Sequence, residues 1–387
     1  MNKYTIYLNA FLSCSSQENM YNLCSYLQTA PFNKSQIVEL TEGLAHSGKS
    51  LTFNTIQTAD IPSTGGPSSL STIISPLLLK EFSTVPKLGI VGRPAGGIDV
   101  LAQIKGYNIK FNSQEIYSIL EKSNYCHFIS NNEYTPLDSI LFKYRSENNF
   151  KNIPSLVISS LLSKKIAVGV KNICLDVRYS DFGNFGKSLS EAQKLSSNFK
   201  EVADLLGIHC SFYFSNNNQL MQPYIGRGES LLALYEYFNN RNNIWLDNHM
   251  QDCKKMVEEI SEKVIEDGQI KSVINRNFVE NIELQGGSYR SFEKIAEKTK
   301  NTHVYEFKAS TSGRLHIDIE KVRSLIVSIQ KKHININDEF PDPCGIIFYK
   351  NQSDAVSKND IILTYRVLDV DFLQFEKVLM SIITIED

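Results

Sequence analysis

Three short stretches hold the residues best suited to chemistry in this chain. The first is Asp60-Ile61-Pro62-Ser63-Thr64-Gly65-Gly66-Pro67-Ser68-Ser69-Leu70-Ser71, two adjacent glycines among hydroxyl side chains running into an apolar segment. Glycine admits positive φ and lacks a Cβ, so a ligand's oxygens can approach the backbone closely. N–H groups at the start of a following helix favour negative charge there. On their own, such Ser/Gly loops mostly cap helices. The second stretch holds Tyr144-Arg145 and then residues 153–165, where Ser160 and Lys164 lie four apart and so share one helix face. A hydroxyl there can bond a ring N–H or a carbonyl, an ammonium can bond a carbonyl, and Arg145 can present a planar fork to another. Taken alone, these residues read equally as a solvated Ser/Lys face with Arg145 in a surface ion pair. The third stretch is Cys174-Leu175-Asp176-Val177-Arg178.

A second glycine loop, Gly92-Arg93-Pro94-Ala95-Gly96-Gly97, follows an apparent strand at 87–91. Earlier, Gly43-Leu44-Ala45-His46-Ser47-Gly48-Lys49-Ser50 fits the nucleotide-binding expression G-x-x-x-x-G-K-S letter for letter. That function needs a buried strand before the loop and a helix after it. Here the preceding residues are helix-like and the following ones show no helical periodicity. A helix end with Gly48 as its stop is the expected reading.

In order and spacing, these segments resemble the thymidine phosphorylase/pyrimidine nucleoside phosphorylase family, whose pattern reads D-K-H-S-T-G-G, S-G-R…T-G-G-T, R…S-I-x-x-S-I-x-x-K-K and D-V-K. The resemblance runs nearly end to end and is most specific in the middle third. It implies a pentosyltransferase acting on the N-glycosidic bond of a pyrimidine nucleoside, with Arg145, Ser160 and Lys164 holding the base. It also implies closure of two lobes over the ligand and a homodimer formed through the helical lobe.

On the acceptor side the chain departs from the family's pattern. Ile61 and Pro62 stand at the Lys-His pair, Val91 at the Ser of S-G-R, and Ile98 at the last Thr of T-G-G-T. Ser63, Thr64, Ser69 and Arg93 remain as polar candidates for a phosphate, acceptor or sugar pocket. Each lost charge-assisted hydrogen bond to a phosphate is worth roughly 1.5–3 kcal/mol. The expected site is therefore one with weakened phosphate binding, and phosphate is one candidate acceptor among others. Alternatives are a phosphate-independent hydrolase or base-exchange enzyme, and a non-catalytic pyrimidine-binding paralogue. No catalytic residue is assigned. The family's monovalent-cation glutamate is displaced by one position in Gly226-Arg227-Gly228-Glu229-Ser230, a departure from that cation site; separately, no metal and no cofactor is expected.

Hydrophobic periodicity supplies the elements that must position these residues. Helices are expected within 16–50 and 134–168, at 69–82, at 113–122 with Ser113 as cap, and at 189–206, 229–239 and 249–267. Strands are expected at 171–177 and 208–214, and Pro136 and Pro154 suit first helical turns. Strand–helix alternation implies a parallel sheet with a ligand crevice at the strands' carboxyl ends. The fold expected is α/β: a small all-helical lobe (1–58 and 133–169), a larger α/β lobe with a mainly parallel sheet (59–132 and 170–275), and a C-terminal α+β region (276–387).

Composition narrows the partners. With 387 residues, 42% of them hydrophobic, and a formal charge of −2, the chain can bury a sizeable core and shows no basic surplus for nucleic acid or an anionic membrane. No run of about 18 apolar residues offers a membrane span. The first fourteen residues hold only a broken apolar run, so a first helix or strand is expected rather than a lipoprotein signal. Seven scattered cysteines without a C-x-x-C pair read as reduced cytosolic thiols rather than a zinc site.

Overall fold

The computed structural model describes residues 2–54, 56–130, 133–241 and 243–386. Helices Lys3–Ser13, Gln17–Thr29 and Lys34–Ala45 open the chain, each started by a polar cap: Asn2, Ser16 and Asn33 accept hydrogen bonds from N–H groups of the first turn. They pack with the later helices Pro136–Glu147 and Pro154–Ala167, whose prolines stand at the first helical position, where no N–H is needed. Tyr4, Phe11, Leu23, Leu40, Leu141 and Leu156 close the apolar cluster of this helical lobe.

A parallel sheet forms the centre of the larger lobe. Strands β1 (Ala59–Asp60), β4 (Asn172–Tyr179) and β5 (His209–Asn216) pair in the order β1-β4-β5. Strands β2 (Val85–Gly89) and β3 (Tyr125–Ile129) form a second parallel pair, and a bridge between Thr58 and Thr84 joins the two. Helices Ser71–Leu79, Ile244–Ser261 and Ile270–Leu284 cover the sheet through Ile73, Leu77, Met250, Ile274 and Phe278. Such a sheet, covered by helices, presents its ligand crevice at the strands' carboxyl ends.

The last region is antiparallel. Strands β6 (Tyr224–Gly226), β7 (Tyr305–Lys308), β9 (Cys344–Phe348) and β11 (Ile361–Val367) pair in the order β6-β9-β11-β7. Strands β8 (Gly313–Ile317), β10 (Ala355–Val356) and β12 (Ile383–Glu386) pair as β10-β8-β12, with helices Ile319–Lys332 and Phe372–Ile382 alongside. The architecture is the expected one: a helical lobe, a larger α/β lobe with a mainly parallel sheet, and a C-terminal α+β region. The lobe boundary expected at 132 lies outside the described residues.

Two local expectations are corrected. Asn112, not Ser113, caps the helix Ser113–Ser123, because its side chain and that of Glu115 form reciprocal bonds with each other's backbone N–H. Gly48 does not end the preceding helix, which stops at Ala45 with His46 as its cap. Instead Gly48 lets the chain pass the Glu133 carbonyl, and a Cβ there would also lie 2.7 Å from Pro136 Cδ. Lys49 pairs with Glu133 at 3.0 Å, and no strand precedes the segment, so the phosphate-loop geometry is absent among the described residues.

Candidate functional site

Strands β1, β2 and β3 end at a cleft facing the helix Pro154–Ala167. The cleft encloses a cavity of about 60 Å³. Ser63, Lys87, Arg93 and His127 line it from the α/β lobe, and Lys164 and Lys165 line it from the helical lobe. A wider groove of about 380 Å³ on the helical lobe, between Leu27 and Pro154, is lined by no charged side chain.

Asp60 organises the floor of this cleft. Its carboxylate is fully buried and accepts from Lys87 Nζ at 2.6 Å and from Lys165 Nζ at 2.5 Å. Burial alone pushes an acid's pKa up; Lys165 and Lys87 outweigh that and hold Asp60 well below the usual carboxylate range. Lys87 also donates to the Ile61 carbonyl at 2.7 Å. Burial lowers its pKa to about 8, with Asp60 opposing and Lys165 and Arg93 adding to the fall. Arg93 donates from one nitrogen to Ser63 Oγ at 3.1 Å, and burial with the nearby Arg178 brings it down to about 10. Counting formal charges, Lys87, Lys165 and Arg93 exceed Asp60, so the cavity favours an anion.

The two glycine loops are held from behind by buried ion pairs. Arg178, at the end of β4, pairs with Asp176 and donates to the Gly65 carbonyl, to Ser69 Oγ at 2.8 Å and to Ser71 Oγ at 2.8 Å. Thr64 Oγ1 accepts from the Arg178 N–H at 2.9 Å. His249 Nε2 accepts from the Leu70 N–H at 2.9 Å. In the second loop, Asp99 accepts from the N–H groups of Gly92 and Arg93 at 2.7 and 3.1 Å, and Arg227 pairs with it at 3.2 Å.

The residues singled out from sequence are thus distributed as follows. Ser63, Arg93, Pro62 and Ile98 line the cavity with Lys164. Lys164 pairs with Asp138 and donates to Ser160 Oγ at 3.0 Å, so the i and i+4 pair stays together. Arg145 does not join them: it is buried and donates to the Leu156 carbonyl at 2.7 Å and the Lys151 carbonyl at 2.8 Å. Ser69 and Thr64 are engaged beneath the loop with Arg178. Of the remaining aliphatic replacements, Ile61 packs into the core under the sheet, and Val91 is 47% exposed.

Sequence reasoning missed Lys87, His127, Lys165 and the role of Asp60. A signal existed for one of them: Lys87 interrupts the otherwise apolar Val85-Pro86-Lys87-Leu88-Gly89, and a charge inside a buried strand demands a partner. All seven cysteines are free, and no cluster that could hold a metal occurs among the described residues. Glu229 is instead engaged by Arg366 at 3.0 Å through both carboxylate oxygens.

Comparison with known proteins gives distant relatives along most of the chain. It is 24% identical to the pyrimidine-nucleoside phosphorylase of Staphylococcus haemolyticus over 357 residues, 86% of this chain and 80% of that protein. It is 26% identical to the thymidine phosphorylase of Mycoplasma pneumoniae over 374 residues, 89% of this chain and 86% of that one. Among solved structures, anthranilate phosphoribosyltransferase from Thermus thermophilus aligns with a TM-score of 0.55 at 12% identity, covering 78% of this chain and 96% of that one. No family profile matches the chain.

Proposed function

We propose that the protein is a pentosyltransferase of the pyrimidine nucleoside phosphorylase type, acting on the N-glycosidic bond of a pyrimidine nucleoside with an anionic acceptor. The observation that carries this reading is the charged cavity between the lobes, where Lys164 faces Ser63, Lys87 and Arg93. Relatives named for nucleoside phosphorolysis, over 80% or more of their lengths, support it. Ser160 and Lys164 hold the base, whose carbonyl oxygens gain charge as the glycosidic bond breaks. Arg145 serves the same helix from beneath, fastening the 148–153 connection to its first turn through the Lys151 and Leu156 carbonyls. Lys87 and Arg93 supply the cationic side that the family's pattern puts where Ile61 stands here, from the neighbouring strand and loop, and Ser63 adds a hydroxyl. The acceptor is thereby placed beneath C1′ of the sugar, in line with the departing base.

The same reading divides the chain at the boundaries given from sequence. It also makes the protein a cytoplasmic homodimer built on the helical lobe, where Ile6, Tyr21 and Phe142 are exposed.

The test is turnover of uridine, thymidine and deoxyuridine by purified protein with graded phosphate. The expected result is base release that rises with phosphate concentration. No release of base from any of them, at any phosphate concentration, overturns the reading. Pro62 and Ile98 put aliphatic surface into the same cavity and favour a second reading, a hydrolase with water as acceptor. Base release at a rate indifferent to phosphate selects that one.

A further inference from the structure

Beside Lys87 stands a histidine that the reading above does not use. His127 on β3 is the register partner of Lys87 on β2, so the two side chains leave the parallel pair on the same face. The imidazole is 1% exposed and lines the cavity. A buried histidine packed for structure alone would have both ring nitrogens paired within the protein. Here only one is: Nδ1 lies 3.0 Å from the Tyr125 hydroxyl, while Nε2 has no hydrogen-bond partner among the described residues.

That single contact bears on the tautomer. Tyr125 is itself 1% exposed, and Nδ1 is the only hydrogen-bond partner of its hydroxyl among the described residues. Were Nδ1 to carry the ring proton, the phenol proton would be left buried without an acceptor. With the phenol donating to Nδ1, the imidazole proton sits on Nε2, on the side from which a ligand in the cavity can accept it. Gly89 shows where that proton faces: a Cβ built there would lie 3.0 Å from His127 Nε2 and 3.0 Å from Ile98 Cβ. Any side chain at Gly89 would therefore press on both the nitrogen and Ile98. The strand beneath is fixed by Gln285, which accepts from the His127 N–H at 2.9 Å and donates to the His127 carbonyl at 2.8 Å. Burial and the neighbouring Lys87 hold the ring's pKa down, to about 3, so it stands there as a neutral donor and adds no charge to Lys87, Arg93 and Lys165.

We propose that His127 contacts the ligand directly, donating its Nε2–H to an anionic oxygen of the acceptor held beside Lys87. The proposal rests on the reading of the cavity as an acceptor site, with inorganic phosphate as the probe. A neutral donor suits such a site because it adds a hydrogen bond to the anion without further mutual repulsion among the cations.

The experiment is long-range proton–nitrogen NMR on histidine-labelled full-length protein during a phosphate titration, joined to calorimetry of phosphate binding. The His127 signal is assigned by its loss in His127→Gln. The expected spectrum shows Nε2 protonated and Nδ1 bare, with the Nε2–H signal moving as phosphate is added. Tyr125→Phe is expected to mix the two tautomers. His127→Phe is expected to weaken phosphate binding about tenfold, and His127→Gln, whose amide reaches the same place, to restore most of it. Gly89→Ala, which leaves both His127 and Tyr125 intact, is expected to keep the tautomer and lose the response to phosphate. A proton found on Nδ1, or an Nε2 signal unmoved by saturating phosphate, overturns the assignment. Failure of the broader reading looks different: the Nε2–H signal moves with phosphate while no nucleoside is consumed, which leaves the His127 contact standing.

Discussion

At the scale of single residues, Lys87 sets the acidity of the site. Its ammonium is buried against Asp60, with Lys165, Arg93 and His127 as the other ionisable neighbours, and its pKa falls to about 8. A lysine whose pKa is depressed in the folded protein loses its charge as pH rises through that value. Second-order turnover with phosphate, kcat/KM, is therefore expected to fall with an alkaline limb near pH 8, where phosphate is already a dianion and Asp60 stays ionised. Lys87→Met should remove that limb and lower kcat/KM by about 1.5–3 kcal/mol, roughly 10- to 150-fold. Steady-state kinetics between pH 6 and 10 checks both statements, and an unchanged profile in the variant would refute the role of Lys87.

At the scale of elements, the two glycine loops are interlocked. Gly96 has φ +63, and a Cβ there would collide with the Ser69 carbonyl. Gly207 has nearly the same φ, +69, but nothing lies within 4 Å of the place a Cβ would take. Comparing alanine at the two positions separates backbone strain from packing. Gly207→Ala should cost about 1 kcal/mol of unfolding free energy. Gly96→Ala should cost about 1–3 kcal/mol more, because the first loop must move away. Urea titration of both variants measures the difference; equal losses would show that the loops do not depend on each other.

These loops were legible in sequence because glycine, serine and their spacing are local signals, and so were the helices whose apolar residues recur with helical period. The pairing of Lys87 with Asp60 was not, since it joins neighbouring strands 27 positions apart in the chain. Nor was the placement of Arg145, which depends on which carbonyls the turn before Pro154 exposes. His127 follows Cys126 in the chain, and nothing in that local sequence points to a ligand. Its surroundings come from β2, from the helix Ile270–Leu284 that ends at Gln285, and from the close approach of Gly89.

At the scale of the whole molecule, Arg366 couples the C-terminal region to the α/β lobe. It lies between Glu229, at 3.0 Å, and Asp342, at 2.8 Å, and the Glu229 helix also carries Arg227, which reaches Asp99 behind the second glycine loop. Burial pushes the Glu229 acid up, with Arg366 opposing. Arg366→Met strands two carboxylates and should lower unfolding free energy by about 3–5 kcal/mol. Because the guanidinium already engages both Glu229 oxygens, wild-type turnover should be unchanged when potassium is replaced by choline at constant ionic strength. A potassium requirement would contradict that arrangement.

The Asp60 carboxylate has a further consequence for the cleft as a whole. It clasps one lysine from the sheet and one from the helical lobe, so on the reading proposed above it stands in for the visiting anion and ties the two lobes together. Ligand entry is then an exchange reaction. A newcomer that reaches those lysines competes with Asp60 for them, so its affinity is set by a difference between two sets of contacts rather than by the sum of its own.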